Sequence, residues 1–83
     1  MVEDGDFIAI FNSIHRVMKA EKILKARNLD ILLIPAPRGL TADCGLAIRY
    51  REPVRAEVES ALLAESVQPE EVYRKEGDGF RRL

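Results

Sequence analysis

The chain contains one cysteine, Cys44, and one histidine, His15. Cys44 follows the run Pro35-Ala36-Pro37-Arg38-Gly39-Leu40-Thr41-Ala42-Asp43 and precedes Gly45. A thiol attacks as its thiolate, and nearby cations or a helix N-terminus lower its pKa from about 8.5. Arg38 is a permanent cation in the same loop, so the run has the composition of an activated-thiol site. Gly45 admits close backbone approach by an incoming sulfur or ligand. Pro37 stiffens the loop that presents Arg38. His15 can exchange a proton near neutral pH, and Ser13 offers a hydroxyl just before it. The candidate site is therefore Cys44 as the reacting thiol, with Arg38, Gly45, Ser13, Pro37 and His15 as binding groups.

Each of these residues also has a structural reading. Cys44 can be a small buried hydrophobe, Arg38 a solvated loop charge, His15 an exposed surface residue, Ser13 a helix cap and the prolines a strand stop. Other chemistries lack their residues. There is no CxxC or HxxxH spacing, so no metal site is expected. The loop has neither the glycine spacing nor the lysine of a phosphate loop, so no nucleotide cofactor is expected. No Ser-His-Asp set or carboxylate pair stands out.

The positioning elements follow from periodicity. Met1–Gly5 is a polar lead-in, and Asp6–Phe11 is an apolar, β-prone run of strand length. Asn12 and Ser13 supply cap chemistry for a helix from Ile14 to Arg27, where Ile14, Val17, Ala20 and Leu24 recur at helical spacing. Glu21 falls within that stripe and needs a partner if buried. Asn28 is a helix stop, Asp30–Ile34 a second strand, and Pro35 and Pro37 are expected to end its pairing. Leu40–Asp43 reads as loop and Gly45–Tyr50 as a third strand. A second helix runs from Pro53 to about Ser66, with Val54, Val58, Ala61, Leu62 and Glu65 on one stripe. Pro69 ends it, and Glu71–Lys75 is the last strand. Gly77-Asp78-Gly79 and Arg81-Arg82-Leu83 read as a flexible tail.

The chain is thus one domain over residues 1–83, with a core at about 6–75 and a flexible tail at 76–83. The fold class is α+β, and the order β-α-β-β-α-β predicts a ferredoxin-like split βαβ arrangement, an antiparallel sheet with both helices on one face. The third strand then lies between the first two and runs against them. That geometry brings the exit of the first strand at Asn12 and Ser13, the Pro-Ala-Pro-Arg loop and Cys44 to one end of the sheet.

Thirteen basic and fourteen acidic residues nearly cancel, and no long block of like charge occurs. No nucleic-acid partner is expected. The apolar runs Phe7–Phe11 and Ile31–Ala36 are too short to span a bilayer, and no basic-then-apolar leader opens the chain, which points to the cytoplasm and away from a membrane. A lone cysteine forms no internal disulfide. A domain of 83 residues buries a modest share of its surface, which favours a homodimer. Phe7, Phe11 and Tyr50 are the aromatic residues expected to cover the open sheet face and mediate it.

Phe11-Asn12-Ser13, Ala20-Glu21-Lys22, Ile34-Pro35-Ala36-Pro37-Arg38 and Asp43-Cys44-Gly45-Leu46-Ala47 together resemble a family of small bacterial and archaeal proteins described as Se/S carrier protein-like. The resemblance covers roughly Phe7 to Tyr73. It implies a carrier that holds sulfur or selenium on Cys44 as a persulfide or selenosulfide, with Arg38 favouring the anionic form. Its partners would be donor and acceptor proteins. Asp43 departs from the small polar residue usual at that position, and an acid beside the thiol opposes activation. The alternative is a binding or regulatory module, dimeric in the manner above, in which Cys44 only packs and the Arg38 loop grips a small anion or a partner. A thiol enzyme would lack a general base apart from His15, so a carrier or binding protein is expected rather than an enzyme.

Overall fold

In the computed structural model, which describes residues 2–40, 42 and 44–83, the run Phe7–Ile10 forms strand β1 and is buried on both faces. Such a strand belongs in the middle of a sheet. Two strands flank it, β3 (Leu46–Tyr50) and β4 (Glu71–Glu76), both antiparallel to it. β2 (Ile31–Pro35) pairs with the outer side of β3, and β5 (Gly79–Arg82) with the outer side of β4. The described residues therefore form a five-stranded antiparallel sheet of order β2-β3-β1-β4-β5.

Helix α1 (Ile14–Ala26) is capped by Ser13, whose Oγ accepts from the Arg16 N–H at 3.2 Å. It ends in a Schellman motif: Leu29 N–H donates to Leu24 O and Asn28 N–H to Lys25 O, with Asn28 at φ 60. Helix α2 (Arg55–Ala64) follows a 3-10 turn over Glu52–Val54. It closes through the same motif at Ser66, with Val67 N–H on Leu62 O. Val17, Ala20 and Leu24 from α1 and Val58, Ala61 and Leu62 from α2 bury against Phe7, Ala9, Phe11, Ile48 and Tyr50. Both helices thus cover one face of the sheet. Each fully buried Val, Leu or Phe there contributes roughly 1.5–3 kcal/mol.

Four expectations are corrected. Phe7, Phe11 and Tyr50 do not cover the open face; all lie under the helices, at most 1% exposed, with Phe7 and Tyr50 stacked. They offer no surface for a homodimer. The open face carries Ile8, Ile10, Ile34 and Ala47, packed by Val2, Leu40, Ala42, Tyr73 and Phe80. Pro35 does not end the pairing: it opposes Leu46, and Ala36 N–H still donates to Gly45 O at 2.9 Å. Because the Ala36 N–H points at β3, the Pro35 nitrogen points out of the sheet edge, where its missing N–H costs no bond.

The tail reading at 76–83 fails most clearly. Gly77 at φ 59, with no positive φ at Asp78, makes the two-residue turn of a β-hairpin. Phe80 then packs on the open face, and Arg81 and Arg82 pair with Glu76 and Glu71. Finally, α2 begins at Arg55 and stops at Ala64, short of the expected Pro53–Ser66 span, and Glu65 is exposed, paired with Arg27 at 3.7 Å. The sheet is accordingly larger than the four strands expected.

Candidate functional site

β1 and β2 both run against β3, so their C-terminal ends share one edge of the sheet with the start of β3. Cys44 sits there, just before Leu46, and α1 departs from the same edge. The Cys44 Sγ lies 3.7 Å from Phe11 O and 3.4 Å from Leu46 O. Both partners are carbonyl acceptors, so the thiol is the donor, and a weak one. Cys44 is partly buried and rests on the helix-side core. Its sulfur therefore touches the last residue before the Asn12-Ser13 entry to α1.

The other candidate residues meet this thiol to different degrees. Ser13 is at the same edge, but its oxygen is engaged in capping α1. Gly45 ties the loop ends: its N–H donates to Ala42 O at 3.0 Å and its carbonyl accepts from Ala36. Its φ of 73 demands glycine, whereas a Cβ there would meet nothing within 4 Å. Conformation, and not a tight approach, explains that residue. Pro37 opens a turn closed by Leu40 N–H to Pro37 O at 3.0 Å, with Gly39 at φ 94. Arg38 occupies the tip of this turn, exposed, and forms no ion pair with a described residue. His15 is exposed on the first turn of α1, and its side chain has no hydrogen bond to a described residue. The edge thus unites Cys44, Phe11, Gly45 and Ser13, while neither Arg38 nor His15 has a hydrogen bond to the thiol. Thr41 and Asp43 lie outside the described residues, and with them the expectation that Asp43 opposes thiol activation.

Past Phe11, the edge opens into a groove of about 240 Å³ bounded by Asn12, Ala42, Glu70, Glu71 and Arg82. Glu71 accepts from the Tyr73 hydroxyl at 3.0 Å and pairs with Arg82 at 3.4 Å. Bonding to the Glu71 carboxylate raises the Tyr73 pKa. The sequence reading missed Arg82 because it placed β5 in a tail; the Gly77-Asp78-Gly79 run between two β-prone stretches was the available signal. Among the described residues, no three His, Cys, Asp or Glu side chains gather to hold a metal ion.

The opposite end of the sheet was also missed. Asp6, 3% exposed, accepts from the Glu3 N–H at 2.9 Å and from Arg51 Nε at 3.3 Å. Arg49, 6% exposed, places NH1 3.9 Å from the same carboxylate, and its Nε has no partner among the described residues. A charge inside the otherwise apolar strand Leu46–Tyr50 was the signal.

The profile of a protein family described as "Putative Se/S carrier protein-like" matches residues 6–74. No curated protein and no solved structure matches the chain.

Proposed function

The chain belongs to the Se/S carrier-like family, and from that premise we propose that it carries sulfur or selenium on Cys44 as a persulfide or selenosulfide. The observation that carries this reading is the seat of the only cysteine: partly buried at the sheet edge where α1 begins, its Sγ held by two weak carbonyl contacts. Weak contacts are readily given up when the sulfur reacts. We read the scaffold as a ferredoxin-like sheet lengthened by β5, acting in a reducing cytoplasm where a single thiol stays free.

Loading needs no oxidant. The Cys44 sulfur attacks the terminal sulfur of a donor persulfide, R–S–SH. A new S–S bond forms on Cys44, the donor S–S bond breaks, and R–S⁻ leaves and takes up the proton that Cys44 gave up. Delivery is the same exchange with an acceptor thiol. Gly45 supplies the left-handed bend that leads from the thiol into β3, Pro37 fixes the turn, and Arg38 adds a positive field at the loop without touching the sulfur. Ser13 orders the helix start. His15 stands at the same end, as a proton partner within the carrier reading.

The test is intact-mass analysis after incubation with glutathione persulfide. Wild type should gain one sulfur atom, and Cys44→Ser none, with its melting temperature within a few degrees of wild type. Equal gain in Cys44→Ser would overturn the assignment. A second reading is favoured by the packing of Cys44 on the core: a binding module in which the thiol is structural. It predicts no sulfur gain in the wild type and slow alkylation of Cys44 in the native state.

A further inference from the structure

We propose that the exposed face of α1 beside Cys44 is a docking surface for an acidic protein segment that exchanges sulfur or selenium with the carrier. The inference rests on the carrier reading for the word exchange, and on the charge and exposure of α1 for the surface itself. α1 carries Arg16, Lys19, Lys22 and Lys25 against a single acid, Glu21, in a chain of net charge −1. Glu21 is taken by Lys25 at 3.2 Å, and Arg16 donates to Gln68 O at 3.2 Å. Lys19 and Lys22 are exposed and form no ion pair with a described residue.

Beside Lys22 and Lys25 the helix shows Ile14 and Met18, 51% and 43% exposed. They are one helical turn apart and hence neighbours on the surface. An apolar pair next to exposed lysines suits a partner that carries apolar and acidic side chains together, and methionine adapts to varied apolar shapes. α2, on the same face of the sheet, has the other sign: Glu57 and Glu59 against Arg55, which Glu59 already pairs at 3.0 Å. An acidic partner is therefore guided to α1 and repelled from α2. The guidance ends at the thiol, because Ile14 opens the helix that follows Phe11, whose carbonyl accepts from Cys44.

The experiment uses two synthetic peptide persulfides that share a cysteine persulfide and a leucine and differ only in flanking Asp/Glu or Lys residues. At low salt the acidic peptide should load Cys44 on the order of tenfold faster. That advantage should shrink as added salt shortens the screening length from about 30 Å at 0.01 M to about 8 Å at 0.15 M. The double substitution Lys19→Glu and Lys22→Glu should invert the preference. Equal loading by both peptides, or a ratio unchanged in the double variant, overturns the docking surface and leaves the carrier reading intact. If neither peptide loads Cys44, the carrier reading fails instead. Fluorescence anisotropy of the acidic peptide lacking its persulfide, with Cys44→Ser as the protein, then decides the surface alone. Salt-sensitive binding lost in the lysine variants supports it, and absence of binding overturns it.

Discussion

The two ends of the sheet treat their polar groups in opposite ways. At the end where β1 begins, Asp6 and Arg49 are both more than nine-tenths buried, and the carboxylate engages a backbone N–H and two guanidinium groups. At the end where β1 finishes, the thiol makes only long contacts to carbonyls, and Arg38 stands exposed at a turn. Buried charges tolerate few alternatives, since each needs its partner in place. Weak, part-buried contacts can be remade at little cost. The first end therefore fixes the strands, and the second is held less tightly, which suits the proposed carrier.

This contrast predicts unequal sensitivity to substitution. Asp6→Ala leaves the buried Arg49 without its anion and should lower stability by about 3–5 kcal/mol, the usual cost of breaking a buried pair. Urea unfolding would measure it. Arg49→Met in the Asp6→Ala background should recover much of the loss, because an apolar replacement of both charges removes the desolvation cost; a double variant no more stable than the single one would break the comparison. Arg51, with a side chain 45% exposed, should matter by less than about 1 kcal/mol when removed. At the thiol end the largest structural effect should come from Gly45→Ala. Alanine meets no atom there, so its cost is the left-handed backbone alone, about 1–2 kcal/mol. A loss as large as that of Asp6→Ala would show that the thiol end is as rigid as the other.

The same contrast explains what could be read from the sequence. α1 was legible from its helical period and β1, β2 and β3 as short apolar, β-prone runs, and the Asn28 stop was legible because asparagine tolerates the left-handed region. Meeting of Cys44 with the exit of β1 followed from strand direction alone. β5 was not legible as a strand: Gly79-Phe80-Arg81-Arg82 has a single apolar side chain, and its register comes from the Gly77 turn and from ion pairs to β4. The open face was misread because the period of two separates Phe7, Ala9 and Phe11 from Ile8 and Ile10 without telling which set the helices cover; they cover the aromatic set and leave the open face to Ile8 and Ile10. Val2, Leu40, Ala42, Tyr73 and Phe80, none adjacent to them in the chain, supply the cover. Arg38 fell short of the thiol because a turn with Gly39 at positive φ projects its tip into solvent, a detail of backbone conformation that residue types in a loop do not encode.

The smallest effects should appear at alkaline pH, where the two tyrosines report on the two modes of stabilisation separately. Tyr50, 1% exposed beside Phe7, has its pKa raised chiefly by burial, whereas Tyr73 has its pKa raised chiefly by its bond to the Glu71 carboxylate. A tyrosine whose folded pKa exceeds its unfolded value favours folding in full below the unfolded value, near 10. That contribution declines as pH climbs from there through the folded value, because the unfolded chain loses its proton first. Phenolate absorbance of the native protein should therefore lag behind that of the unfolded chain. Glu71→Gln should return the Tyr73 step towards its ordinary position and leave the Tyr50 step unmoved, since the two have separate causes. If the Tyr50 step moved as well, the groove at the thiol end would be coupled to the buried core, and the two ends could no longer be treated as independent.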